Sequence, residues 1–213
     1  MMDICAALPF RPENPKTRLS GILTEAERTA FADAMLHDVV SALRDAEIPV
    51  TILSTAEYAC EGASVAVRNE GLNEALNRFL SDSGKPVLII MSDLPLVTRE
   101  TILRVVSTEK DIAAVPGTGG GTNILFIRNP KAYHVQYYGY SFKRHLEIAE
   151  QLNMTVDVID SLRMSTDVDE PEDLVELLIH GNGSAKRWLE ENGFSLCAED
   201  GRVSVKRGET RIV

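Results

Sequence analysis

The chain has 213 residues, 44% hydrophobic and 25% charged, which is enough apolar material for one large soluble domain with a substantial core. A formal net charge of -10 excludes binding built on clustered Lys and Arg along a nucleic-acid backbone, but leaves room for a polyphosphate gripped by a few local cations. No basic segment leads into a long apolar stretch, and no run approaches the roughly 20 apolar residues of a membrane span, so a cytoplasmic protein without membrane contact is expected.

Residues 3–8 form the first apolar strand. It gives way to Pro9-Phe10-Arg11-Pro12-Glu13-Asn14-Pro15-Lys16-Thr17-Arg18, where three prolines forbid regular structure, so Arg11, Lys16 and Arg18 ride on a loop at the strand's C-terminal end. Thr24-Glu25-Ala26-Glu27 is a capping box, and Phe31, Met35, Leu36, Val39, Val40 and Leu43 repeat at helical spacing through about Asp45. Pro49 restarts a strand at 50–53, which completes a βαβ unit. A short strand at 64–67 leads to Glu70-Gly71-Leu72-Asn73 and a helix marked by Leu72, Leu76, Phe79 and Leu80.

Val87-Leu88-Ile89-Ile90-Met91 is an apolar run entered from a proline and ending on Ser92-Asp93-Leu94-Pro95. It reads as a strand buried on both faces that delivers Asp93 to the carboxyl edge of the sheet, where open α/β proteins bind ligands. Asp93 is either a ligand there or the cap of the next turn. Thr98 caps a further helix, strands at 111–116 and 124–127 flank a glycine cluster, and a helix spans 141–151. A last core strand at 155–159 precedes helices at about 171–180 and 184–191 and a tail hairpin at 194–197 and 202–205 around Asp200-Gly201. The prediction is a single domain over 1–213 with a hairpin appendage at about 193–207, an α/β three-layer sandwich around a mostly parallel mixed sheet. The aromatic tail and its hairpin suggest a homodimer.

Cys5, Cys60 and Cys197 are odd in number and widely spaced, and His37, His134, His145 and His180 form no ligand-spaced pair. Reduced thiols fit better than disulfides or zinc. Gly117-Thr118-Gly119-Gly120-Gly121-Thr122 approaches a dinucleotide fingerprint, but a strand follows it where the fingerprint needs a helix. It is either a hairpin loop or a backbone nest that presents amides and the Thr122 hydroxyl to an anion. Asp167 and Asp169 point to the same side of an extended segment, as two carboxylates on one hard cation would, though Asp169 also fits a helix N-cap. Gly139 and Ser141 could present an amide and a hydroxyl to a phosphate, with Ser141 as a plain N-cap the alternative.

Lys16-Thr17-Arg18-Leu19-Ser20, Leu72-Asn73-Glu74-Ala75-Leu76, Ser92-Asp93-Leu94-Pro95, Gly120-Gly121-Thr122-Asn123, Ser141-Phe142-Lys143-Arg144-His145 and Asp167-Val168-Asp169, in that order, resemble the 2-phospho-L-lactate guanylyltransferase family of coenzyme F-420 biosynthesis. The resemblance implies a nucleotidyltransferase (GT-A-like) Rossmann-type fold of the nucleotide-diphospho-sugar transferase kind. It also implies transfer of GMP from GTP to a small phosphorylated three-carbon acid, 2-phospholactate or phosphoenolpyruvate, with loss of diphosphate. By position it implies Mg2+ on Asp93, Asp167 and Asp169, the triphosphate on Lys16 and Arg18, guanine near Gly71, Leu72 and Asn73, and the acid on Thr122, Gly139 and Ser141. Another acceptor on the same fold, a molybdopterin or sugar phosphate, and a non-catalytic nucleotide-binding subunit are the alternatives.

Overall fold

In the computed structural model, which describes residues 3–199 and 201–208, the sheet is made by β1 (Cys5–Phe10), β2 (Val50–Ser54), β3 (Ser64–Val67), β4 (Val87–Ile90), β5 (Ile112–Pro116), β6 (Thr122–Ile127) and β7 (Val156–Val158). Their spatial order is β3-β2-β1-β4-β6-β5-β7, and all run parallel except β6, which lies antiparallel between β4 and β5. The order reverses between β1 and β4. Such a switch opens a crevice outside the carboxyl ends of those two strands.

All four residues of β4 are fully buried. Alternation sends Leu88 and Ile90 to one face, with α1 (Glu25–Asp45) and α3 (Arg99–Val106), and Val87 and Ile89 to the other, with α2 (Leu72–Asp82) and α4 (Ser141–Gln151). Those are the three expected layers. A third apolar cluster joins Leu19, Phe31 and Met35 to α6 (Asp173–His180), α7 (Ser184–Glu191) and Phe194 of the hairpin β8 (Phe194–Glu199) and β9 (Arg202–Arg207). Asp200, expected in the hairpin turn, lies outside the described residues. Both capping boxes form, Thr24 with Glu27 on α1 and Thr98 with Thr101 on α3.

Several boundaries differ from expectation. β1 continues through Pro9 to Phe10, because odd-numbered amides of β1 face β4 and pairing with β4 stops at Ala7, so the missing N–H of Pro9 removes no ladder bond. β6 begins at Thr122, two residues early, since the glycine cluster is the loop of the β5–β6 hairpin. A one-turn helix, α5 (Leu162–Ser165), was not expected. The hairpin is fastened by Arg207, which donates to the Ile22 carbonyl at 3.1 Å and to the Glu27 carboxylate. Hydrogen bonds from Arg207 first, and then from the Thr24 amide, hold Glu27 down to about 2. Cys5, Cys60 and Cys197 are free thiols, and among the described residues no helix is long and apolar enough to cross a membrane.

Candidate active site

The loop leaving β1 turns into the crevice because Lys16 adopts a left-handed backbone, φ 51°, just before a single 3-10 turn at Thr17–Leu19. A lysine held there is strained, and the strain persists because its head group is fixed. Lys16 Nζ donates to Asp93 Oδ2 at 2.7 Å and to Asp169 Oδ1 at 2.6 Å, and its side chain is 9% exposed. Burial alone would lower the Lys16 pKa, but attraction to Asp93 and Asp169 and the hydrogen bonds to both outweigh it, so the net shift is upward. Arg18 stays exposed, with Nη1 3.6 Å from Asp169 and 3.7 Å from Glu170.

Asp93 and the late Asp-x-Asp segment are stitched together by the Val168 amide, which donates to the Asp93 carbonyl at 3.0 Å. Val168 is fully buried, so Asp167 and Asp169 share the opposite, open side, as alternation requires. They nevertheless serve different partners. Asp169 faces Lys16 and Arg18, whereas Asp167 Oδ1 accepts from Asn123 Nδ2 at 3.1 Å and from the Thr118 amide and hydroxyl at 3.4 Å. Asp169 is not a helix cap either: its own amide is capped, by Asp173.

Gly117 sits against this Asn123–Asp167 pair so closely that a Cβ there would stand 2.4 Å from Asn123 Oδ1 and 3.2 Å from Asp167 Oδ1. Gly117→Ala is therefore expected to lower stability by about 1–3 kcal/mol, read as a reduced urea midpoint. An unchanged midpoint would show that the pair yields freely.

Thr122 and Ser141 are buried, and their hydroxyls meet at 3.1 Å. Ser141 is not the N-cap of α4; Tyr140 is, and it makes no side-chain cap bond. Thr122 Oγ1 also lies 2.9 Å from His145 Nδ1, and His145 Nε2 is 3.0 Å from the Gln136 amide. A backbone amide can only donate, so Nε2 is the acceptor, Nδ1 carries the proton, and Nδ1–H donates to Thr122. Burial first, and His134 second, lower the His145 pKa to about 4. Gly139 supplies the left-handed turn, φ 76°, that lets the chain enter α4, and the Phe142 amide ties that entry to the glycine loop through Gly120.

On the other side of the crevice a cavity of about 410 Å³ opens at the carboxyl ends of β1, β2 and β3, with Arg11, Arg68, Glu70, Gly71, Leu72 and Tyr138 among its lining residues. Gly71 and Leu72 both line this cavity. Asn73 is committed elsewhere: its Oδ1 accepts the Tyr137 amide at 2.7 Å, and Asn77 one turn later clamps Val135 through both its amide and its carbonyl. Arg68, Glu70, Asn123 and His145 were not singled out from the sequence. The i, i+2 pair Arg68 and Glu70 at the end of an edge strand was the one local signal available.

The three carboxylates that the resemblance assigns to a hard cation are not gathered around one point in the structure. Among the described residues no three acidic, histidine or cysteine side chains converge as a metal cage. Asp93 and Asp169 do fit a magnesium ion, which usually takes one or two carboxylates and completes its shell with water and substrate phosphates. Asp93 Oδ1 is a buried carboxylate oxygen without a hydrogen-bond partner, and the Lys16 ammonium already lies between the two groups. Asp167 Oδ1 is instead held by Asn123 and Thr118.

Residues 4–208 match the family model described as "Guanylyl transferase CofC like". The chain is 57% identical over 208 residues, 98% of each chain, to the 2-phospho-L-lactate guanylyltransferase of Methanocorpusculum labreanum. It is 50% identical over 202 residues to that of Methanoregula boonei, covering 95% of this chain and 94% of the other. Among solved structures it is similar to a Desulfovibrio desulfuricans G20 protein provisionally assigned as a nucleotide-diphospho-sugar transferase, with TM-score 0.74, 18% identity and coverage of 90% and 96%. A nucleotidyl transferase from Methanothermobacter thermautotroptrophicus aligns with TM-score 0.58 and 12% identity over 90% of this chain and 99% of that one.

Proposed function

The chain belongs to the family of CofC-like guanylyl transferases, and from that premise we propose that it transfers GMP from GTP to 2-phospho-L-lactate, or to phosphoenolpyruvate, in coenzyme F-420 biosynthesis. The observation that carries this reading is the sequence of sites along one sheet edge. The apolar cavity lies by β1 to β3, Lys16 with Asp93 and Asp169 lies at the β1–β4 crevice, and Thr122 with Ser141 lies at the start of β6. Base, triphosphate and acceptor would then follow one another along the edge, which lets an acceptor oxygen approach the α-phosphorus opposite the leaving diphosphate.

In the reaction an oxygen of the acceptor's phosphate attacks the GTP α-phosphorus, a new P–O–P link forms, and the α–β bond breaks to release diphosphate. A phosphomonoester has its second pKa at about 6, so the nucleophile is already largely dianionic near neutrality and needs no general base. What the protein must supply is position and positive charge. Lys16 provides a permanent ammonium at the crevice and holds Asp93 and Asp169 in register before substrate arrives. Arg18, exposed beside them, is free to swing onto the leaving phosphates. A magnesium ion on Asp93 and Asp169 would neutralise charge on the phosphates. The buried Thr122 and Ser141 hydroxyls shape the acceptor side, and the His145 Nδ1–H fixes the orientation of Thr122.

The test needs no variant. Incubation of the chain with GTP, magnesium and each three-carbon acid separately should release diphosphate and yield a guanylylated acid of the corresponding mass. Product from a molybdopterin or sugar phosphate alone would overturn the acceptor, and GTP binding without turnover of any acceptor would overturn the enzyme.

A further inference from the structure

The cavity beside β3 contains a pair of charged side chains that the reaction just described does not use. Arg68 and Glu70 follow β3 directly, two residues apart, and both line the cavity with Phe10, Leu53, Leu72 and Met91. They are mostly withdrawn from solvent, with side chains 32% and 23% exposed. Neither is fully paired. Arg68 Nε is buried without a hydrogen-bond partner, and the guanidinium's own contact is a long 3.4 Å bond from Nη1 to the adjacent Val67 carbonyl. Glu70 Oε1 is likewise buried without a hydrogen bond; Arg78 Nε stands 3.3 Å away and Arg68 Nε 4.0 Å away, close enough to attract but not aligned to donate. Tyr138, 62% exposed, stands at the lip of the same cavity.

These features are complementary to the two adjacent edges of one nucleobase that meet at guanine O6. Guanine presents acceptors at O6 and N7, which suit the fork of an arginine, and a donor at its 2-amino group. It adds a second donor at N1, and two adjacent donors suit a carboxylate, which is acceptor-only when ionised. Adenine reverses the pattern, with an amino group where guanine has O6 and a lone pair at N1. Uncompensated desolvation of Arg68 and Glu70 would then oppose adenine binding. The apolar walls and the Tyr138 ring suit the two faces of a purine, and 410 Å³ falls within the usual range of about 300–1,000 Å³ for ligand pockets.

We propose that Arg68 and Glu70 select the base: the Glu70 carboxylate accepts from guanine N1–H and the 2-amino group, and the Arg68 guanidinium donates to O6 and N7. Arg78, whose Nε lies 3.3 Å from Glu70 Oε1, is a positioning residue that keeps the carboxylate aimed. The proposal deepens the reading of the chain as a GTP-dependent transferase and rests on it. Its test is therefore made on binding, without any acceptor.

A fluorescent GTP analogue labelled on the ribose is bound to the full chain and displaced with GTP, with ITP, which lacks the 2-amino group, with 7-deaza-GTP, which lacks N7, and with ATP. ITP and 7-deaza-GTP should compete about 5- to 100-fold less well than GTP, and ATP worse than either. In Glu70→Gln the preference for GTP over ITP should collapse to within about 3-fold, and in Arg68→Met the preference for GTP over 7-deaza-GTP should do so. A merely structural role would weaken all four nucleotides together and leave these ratios unmoved. Equal competition by GTP, ITP and ATP in the unmodified chain, or an unchanged GTP-to-ITP ratio in Glu70→Gln, would overturn the assignment. Should either variant fail to fold, the analogue series on the unmodified chain still decides. Base selectivity without transfer to 2-phospholactate would sustain this assignment while overturning the proposed acceptor.

Discussion

Lys16→Met is expected to reduce turnover by about 10²- to 10³-fold and stability by about 2 kcal/mol. The ammonium it removes lies within 2.7 Å of one carboxylate and 2.6 Å of another, so the variant leaves Asp93 and Asp169 facing each other with nothing between them. Breaking a buried ion pair by deleting one partner typically costs about 3–5 kcal/mol, and the partial exposure of the two carboxylates, 23% and 36%, argues for a smaller figure. Because the Lys16 pKa is raised in the folded chain, its contribution is fully present below the ordinary value of 10.5 and fades only as pH rises through the folded value. Measurements near neutrality therefore see all of it. Lys16→Arg should not rescue turnover, since a planar fork cannot take the place of a point charge between two oxygens. Asp93→Asn should match the loss of turnover with a smaller loss of stability, because Lys16 then keeps Asp169. Steady-state diphosphate release and urea unfolding at neutral pH read both quantities. Turnover near that of the unmodified chain in Lys16→Met would remove Lys16 from the mechanism.

The second large effect concerns acid. His145 is buried and neutral, with a pKa lowered to about 4 by burial first and by His134 second, against an ordinary value of 6.5. Below 6.5 the unfolded chain takes up a proton that the folded chain refuses, so stability falls as pH drops from 6.5 and stops falling for this reason below about 4. At about 1.4 kcal/mol per pH unit the gap amounts to about 3 kcal/mol. His145→Asn keeps a donor toward Thr122 but does not titrate. Its stability should be lower at pH 7, by about 1–3 kcal/mol, since the Gln136 amide loses its acceptor. Between pH 6.5 and about 4 its stability should decline less steeply than that of the unmodified chain. Parallel curves for the two proteins across that window would contradict a His145 ring that stays neutral in the folded chain down to about 4.

Elements written in short-range patterns were legible in the sequence. Thr24-Glu25-Ala26-Glu27 announced the start of α1, and the run from Val87 announced a strand buried on both faces, because caps and alternation depend on neighbours a few residues apart. Four residues of α5 are too few to display a helical period, and the continuation of β1 through Pro9 depends on which strand its nitrogen faces. The crevice was legible in its members but not in their pairing. Lys16, Asp93 and Asp169 could each be placed at the sheet edge, yet that one ammonium would bridge both carboxylates is a tertiary fact. Asp167 and Asp169 were placed on one side correctly, while their division between Asn123 and Lys16 depends on how the β5–β6 loop folds back. His145 gave no signal because a single histidine on the buried side of a helix looks the same whether or not it holds a hydroxyl.

The bridge from Lys16 to Asp169 spans 153 residues. On a ribosome adding about 5–20 residues per second, the lysine emerges roughly 8–30 seconds before its second carboxylate exists. Arg207, still later, fastens the helix start that follows the lysine's loop. Catalytic competence is therefore among the last properties the nascent chain acquires. A product truncated before Asp169 would contain all seven strands of the main sheet but lack α6, α7 and the hairpin, so Leu19, Phe31 and Met35 would lose the apolar partners that cover them and the crevice would stay unfinished.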